Sequence, residues 1–225
     1  MGPHEHKKMM QTVAVIGGTG QQGRGIAQRL ARAGTAVIVG SRDPARAAAA
    51  VAAWPSSASV RSASYRDAIN TADVVVLTVP FDAIDNLLAE HRSDFKRDAL
   101  VIDVTVPLSF SGGTAVLVAV EGGSAAEYAR ARLPDHVRVA AAFKTVPAHL
   151  LDDVDRPLDC DEFVCGDSPQ ARDGARSIVE TIAGLRAVDV GPLSRARAIE
   201  HLTLLAIAIN RRHKIHDARF RVVGL

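Results

Sequence analysis

A short apolar run, Thr12 to Ile16, leads directly into Gly17-Gly18-Thr19-Gly20-Gln21-Gln22-Gly23, and a stretch of helix-forming residues from Gln22 to Ala33 follows. Strand, glycine turn and helix make the opening of a βαβ unit. That opening constrains the rest of the chain, because parallel strands need long crossovers and a sheet covered on both faces by helices. The later sequence obeys it. Gly34 stops the first helix, Ala36 to Gly40 forms a second strand, and Asp43 caps a helix from Pro44 to about Ala53. Asp accepts from the free donors of a first helical turn, where the missing N–H of Pro costs nothing. A short strand near Val60 to Ser62 and a helical Tyr65 to Asn70 lead to Asp73 to Val79, a near-continuous apolar run suited to a strand buried on both faces. Pro80 ends it, Asp82 begins a helix to about Glu90, and Ala99 to Val104 is the next strand.

Beyond this point the rhythm weakens. Pro107 to Gly123 carries Ser-Gly-Gly and Gly-Gly-Ser and reads as a long connection of the kind that carries function. Helix Ala125 to Arg132, strands Val137 to Phe143 and Glu162 to Cys165, helix Pro169 to Ala183 and strand Arg186 to Val190 follow. A long apolar helix runs from Ser194 to about Arg211, and a basic tail closes the chain. The pattern predicts an α/β fold, a doubly wound and mainly parallel sheet with a small C-terminal helical portion. Residues 1–10, which include His4 and His6, are expected to be a flexible tail. Residues 11–190 form the main domain with its extension, and 191–225 form the C-terminal helix and tail.

Composition removes several function classes. With 48% hydrophobic and 23% charged residues in 225, the chain is neither disordered nor membrane-embedded. Its longest late apolar run, Leu202 to Ile209, is far short of the roughly 20 residues that span a bilayer. A net charge of +2 and 4% aromatic residues argue against nucleic acid as a partner. Cys160 and Cys165 have no second pair at zinc-site spacing, so no metal is expected. They read as buried thiols in a reducing, cytoplasmic setting.

The glycine turn contains G-x-G-x-x-G at Gly18, Gly20 and Gly23, between a strand and a helix. In that context the glycines allow a tight turn, close approach of backbone to a pyrophosphate, and helix packing against the strand. The helix N-terminus supplies free N–H donors and partial positive charge. The end of the second strand selects the dinucleotide, since an acidic residue there would hold the ribose 2′-hydroxyl of NAD. The chain has Val39-Gly40-Ser41-Arg42 instead, a hydroxyl and a guanidinium suited to a 2′-phosphate. NADP(H) is therefore the expected cofactor, with Arg46 as a second phosphate contact and Asp43 as a helix cap.

Gly17-Gly18-Thr19-Gly20, Gly40-Ser41-Arg42-Asp43 and Leu77-Thr78-Val79-Pro80 together resemble the NADPH-dependent reductases of coenzyme F420. Thr145-Val146-Pro147-Ala148, Val164-Cys165-Gly166-Asp167 and Asp189-Val190-Gly191-Pro192-Leu193-Ser194 extend the resemblance over nearly the whole chain. It implies a Rossmann-like domain, usually dimeric, that stacks a nicotinamide on a 5-deazaflavin. It also implies that Thr19, Gly20, Gln21 and Gln22 line the pyrophosphate, and that Ser41, Arg42 and Arg46 hold the 2′-phosphate. Thr78, Val79 and Pro80 would then flank the nicotinamide half, and Val146, Pro147 and Ala148 would border the F420 ring. Hydride transfer between two flat rings needs their reacting carbons held about 3 to 3.5 Å apart with water excluded, and no catalytic triad.

Lys144 stands where the resemblance leads one to expect His or Asn. A buried lysine beside a nicotinamide has its pKa lowered by burial and is a candidate acid or base. That keeps a second reading open, an NADPH-dependent reductase of a small carbonyl, imine, flavin or ferric compound. A third is a nonenzymatic NADP(H)-sensing module. The basic end, Arg211, Arg212, His213 and Lys214, would suit the anionic tail of a deazaflavin. Apolar residues on many sides of the last helix imply burial against more than one element, most simply in a homodimer, with His201 in its core or interface.

Overall fold

The computed structural model describes residues 11–54, 59–112 and 114–225. The tail expected over residues 1–10 lies outside the described residues. The first five strands are β1 (Thr12–Ile16), β2 (Ala36–Ser41), β3 (Val60–Ser64), β4 (Val74–Leu77) and β5 (Leu100–Asp103). A hairpin of β6 (Leu108–Ser111) and β7 (Thr114–Leu117) precedes β8 (Arg138–Ala141), β9 (Cys160–Gly166) and β10 (Leu185–Pro192). All but the hairpin join one sheet in the order β10-β9-β8-β5-β4-β1-β2-β3. Every pairing in it is parallel except β8 with β9, so the last two strands run against the other six.

The helices are α1 (Gln21–Arg32), α2 (Pro44–Ala52), α3 (Tyr65–Thr71), α4 (Ile84–His91), α5 (Ala125–Arg132), α6 (Ala148–Asp152), α7 (Pro169–Thr181) and α8 (Ala196–His213). Alternate strand residues feed two cores. Val13, Val15, Val74 and Val76 pack with Ile26, Leu30, Val51, Leu150 and Ile178 on one face of the sheet. Ala14, Ile16, Val75 and Leu77 pack with Ile69, Ile84, Leu88, Ala129 and Ile199 on the other. This two-faced burial is why β4 reads as an uninterrupted apolar run. Each fully buried Ile or Leu contributes about 1.5 to 3 kcal/mol relative to exposure.

Several local expectations are corrected. Asp82 lies in a 3-10 turn, Phe81–Ala83, and α4 starts only at Ile84. The Pro107 to Gly123 connection is folded into the β6–β7 hairpin, not left as an open loop. The short helix α6, unforeseen in the sequence, packs on α1. Arg29 draws the two together, its guanidinium donating to the carbonyls of Leu150, Leu151, Asp153 and Arg156. Arg24 adds an ion pair to Asp152. The C-terminal tail lies along the sheet edge, where Asp161 accepts from Arg186 at 2.7 Å and from the Val222 N–H at 2.5 Å. Arg211 donates to Thr114 of the hairpin at 3.1 Å.

Candidate active site

Crossovers leave β1 in opposite directions, to β2 and β3 on one side and to β4 and β5 on the other. In an open α/β sheet, that reversal opens a crevice beyond the carboxyl ends of the strands. Here it is a cleft of about 610 Å³. Each wall grows from a strand end: the glycine turn after β1, Ser41 and Arg42 from β2, Thr78–Phe81 from β4, Val104–Val106 from β5, and Phe143 and Lys144 from β8.

The glycines have separate causes. Gly17 adopts φ +83°, the left-handed region that closes the turn. A Cβ on Gly18 would stand 2.9 Å from the Val15 carbonyl oxygen, and one on Gly23 would meet Thr78 Oγ1 and come within 2.8 Å of Gly18 Cα. Gly23 thus lets the start of α1 lie against Thr78, just past the end of β4, whose hydroxyl donates to the Ile16 carbonyl at 2.8 Å. A Cβ on Gly20 would meet only the Gly17 carbonyl at 3.4 Å, so the backbone there is open to a ligand. Gly20 caps α1 without a side chain, and no acidic residue sits in the first turn. The helix therefore presents uncapped donors and its positive end to the cleft, an anion site.

At the end of β2, the Ser41 hydroxyl accepts from the Asp43 N–H at 3.1 Å. Asp43 caps α2 as expected, accepting from the Arg46 N–H at 3.0 Å. Asp43 also lines the cleft, with its Oδ1 given to this cap. Arg42 and Arg46 are exposed at the mouth of the cleft, and among the described residues neither forms an ion pair with a carboxylate. A second cleft of about 630 Å³ continues past Arg42 between Tyr65, Asn86, Leu87 and His91.

Comparison with known proteins accords with this geometry. Residues 12–107 match the family model described as NADP oxidoreductase coenzyme F420-dependent. An F420-dependent NADP reductase of Methanothermobacter thermautotrophicus is 44% identical over 97% of this chain and 97% of its own. This chain belongs to the F420-dependent NADP reductase family. It is an NADP-linked oxidoreductase with the Rossmann-like sheet expected of it. A crystal structure from Arthrobacter sp. FB24, described as an F420-dependent NADP reductase, matches with a TM-score of 0.81 at 26% identity over 95% of this chain and 99% of that one. A 3-hydroxyisobutyrate dehydrogenase from Mycobacterium tuberculosis shares the fold, with a TM-score of 0.62 at 20% identity over 91% of this chain and 64% of that one.

The remaining wall of this reductase differs from the sequence expectation. Lys144 meets the cleft through its backbone, while its side chain is 0% exposed. The ammonium sits 2.7 Å from Asp103 Oδ2 and 3.3 Å from Glu200 Oε1, and also donates to the Thr105 carbonyl. The expected lowering of its pKa is reversed. Burial does press it down, but the two carboxylates outweigh burial and raise it, so the lysine stays charged. Its three acceptors hold the ammonium inside a structural ion cluster, away from the reacting space. Glu200 also accepts from the Ala125 N–H at 2.9 Å, tying α5 to α8.

The expected ring-bordering residues are divided. Thr78, Val79 and Pro80 line the cleft with Thr19–Gln22, Ser41, Arg42 and Arg46. Gly18 and Gly23 are buried beneath it. Val146 is buried in the core, and Pro147 and Ala148 begin α6 beyond the cleft lining. His201 is exposed and bonded to the Arg197 carbonyl rather than buried in a core. Asp103, Glu200 and Glu162 were missed, although Asp103 is a carboxylate in an otherwise apolar strand. Burial pushes Glu162 up to about 7, against the lowering effect of the Thr145 hydroxyl and the backbone N–H groups around it. Burial likewise raises the Cys160 thiol to about 11 and the Cys165 thiol to about 12, which leaves both protonated at neutral pH.

Proposed function

We propose that this chain transfers a hydride between NADP(H) and coenzyme F420 in the cleft above β1 and β4. The observation that carries this reading is the uncapped end of α1 opening onto the same cleft as Ser41, Arg42 and Arg46, with Asp43, the acidic residue in that lining, turned to capping α2. That arrangement favours two separate anionic groups of one ligand, a diphosphate at the Thr19–Gln22 turn and a 2′-phosphate at the two arginines. The adenine fits the adjoining cleft beside Tyr65, and the nicotinamide half reaches Val79, Pro80 and the Phe143–Lys144 wall. The nicotinamide and the deazaflavin supply the hydride chemistry themselves. The chain orients them and excludes water.

The enclosure of the Lys144 ammonium removes the observation that favoured a carbonyl or imine acceptor. Mixing the protein with NADPH and oxidised F420 should bleach the deazaflavin absorbance catalytically. Folded protein that binds NADPH but shows no turnover would refute the assignment.

The working form is a homodimer, and the reducing cytoplasm is its setting. Only Ala196, Ile199, Glu200 and Ala206 of α8 are fully buried within the chain, whereas Leu205 is 49% exposed and Phe110 of the hairpin 71%. Burial against several elements, expected from the sequence of α8, is therefore incomplete in one chain, and a second copy would complete it. A concentration-independent monomer in sedimentation would refute the dimer. The two free, buried thiols accord with a reducing compartment.

A further inference from the structure

The wall at the end of β8 is fixed far more closely than a connecting turn requires. Phe143 is fully buried and adopts φ +59°, a left-handed conformation unfavourable for a bulky residue. Such backbone persists where its surroundings over-determine it, and it gathers at functional sites. Here the surroundings reach in from four elements. Gln22 of the phosphate turn donates through Nε2 to the Phe143 carbonyl at 2.7 Å. The Lys144 N–H donates to Glu162 Oε1 at 3.1 Å, and the Thr145 hydroxyl to Glu162 Oε2 at 2.8 Å. Thr203 of α8 donates its hydroxyl to the Lys144 carbonyl at 2.8 Å. The Lys144 ammonium is held by Asp103 of β5.

We infer that the Phe143–Thr145 turn is the positioning element for hydride transfer, and that Glu162 and Thr203 are positioning residues that hold it as the wall against which the nicotinamide is pressed. Neither side chain lines the cleft, so each acts through the turn. The inference rests on the NADP(H) cleft proposed above. Gln22 completes the argument, because one amide links the diphosphate site to this wall and an ordered phosphate turn therefore orders the wall with it.

The test uses full-length Thr203→Val, which keeps shape and loses the hydroxyl, Thr203→Ser, which restores it, and Glu162→Gln. A misplacement near 1 Å can cost about a hundredfold in rate. Single-turnover hydride transfer from NADPH to F420 should fall about tenfold in Thr203→Val and about a hundredfold in Glu162→Gln, with NADP+ affinity within about threefold of wild type. Thr203→Ser should recover most of the rate. The positioning role is overturned if folded Thr203→Val transfers hydride within about twofold of wild type, or if its rate and its NADP+ affinity fall together in equal measure. Glu162→Gln that fails to fold leaves the decision to the Thr203 pair. A wild-type protein inert toward F420 would sink the proposed acceptor and not this inference. The emission of bound NADPH then decides: at unchanged affinity, Thr203→Val should shift the nicotinamide fluorescence toward that of the free cofactor, and an unaltered spectrum overturns the positioning role.

Discussion

Removing the Arg42 guanidinium should change which dinucleotide this reductase prefers. Arg42 stands exposed at the mouth of the cleft, directly after Ser41, and the partner proposed for it is a phosphate that NAD lacks. A charge-assisted contact contributes about 1.5 to 3 kcal/mol, and exposure to water and salt places this one at the lower end. Arg42→Ala should therefore weaken NADPH by about tenfold, since 1.4 kcal/mol is one decade. Arg46 retains a second charge one helical turn away, so the loss should not be complete, and the double variant should lose more than Arg42→Ala alone. NADH should be affected by less than about twofold, because an exposed arginine with no phosphate to meet contributes little. The assay is kcat/KM for both nucleotides with the same acceptor, at low salt and again near 0.5 M salt, where the discrimination should shrink as the Debye length falls to about 4 Å. Equal losses for NADPH and NADH at low salt would refute the 2′-phosphate role of Arg42 and with it the selection argument drawn from the end of β2.

Other consequences follow from the same packing. Gly23→Ala places a Cβ against Thr78 Oγ1 and Gly18 Cα, so NADPH affinity should drop by more than about tenfold as α1 is forced from the glycine turn and Thr78, and undiminished binding in a titration would contradict the close-packing role. Lys144→Met leaves Asp103 and Glu200 buried without their cation, which should cost about 3 to 5 kcal/mol in urea unfolding; a loss under about 1 kcal/mol would show that the cluster is not a paired one. Glu162 carries a folded-state pKa near 7 against an ordinary 4.5, so the folded protein retains a proton that the unfolded chain has released between those values. Its contribution is fully present below pH 4.5 and is lost as pH rises toward 7, a decline of about 3 kcal/mol, with Glu200 shifted in the same direction. Denaturant titrations across that window should show the decline in wild type and a flatter profile in Glu162→Gln.

The parallel half of the sheet was legible because its information is local. β1, β2, β4 and β5 are short, mainly apolar runs with a turn signal after them, and Asp43-Pro44 and the glycine turn state their own roles in consecutive residues. The later half was less so. Nothing local distinguishes a β9 that pairs antiparallel with β8 from one that pairs parallel, and the segment between them, α6, docks on α1 through Arg29, more than 120 positions away in sequence from the carbonyls it binds. Lys144 is the sharper case. Sequence shows a lysine beside the expected cofactor, and burial alone would argue for a neutral amine and proton transfer. What reverses the argument is a pair of carboxylates contributed by residues 103 and 200, from a strand and a helix that meet only in the folded chain. Asp103 did leave a trace, an acidic residue whose neighbours within Leu100–Val104 are all apolar, whereas Glu200, followed directly by His201, stands out less. A lysine and two misplaced acids in one chain of this fold are therefore better read together, as partners that neutralise one another, than singly as candidates for catalysis.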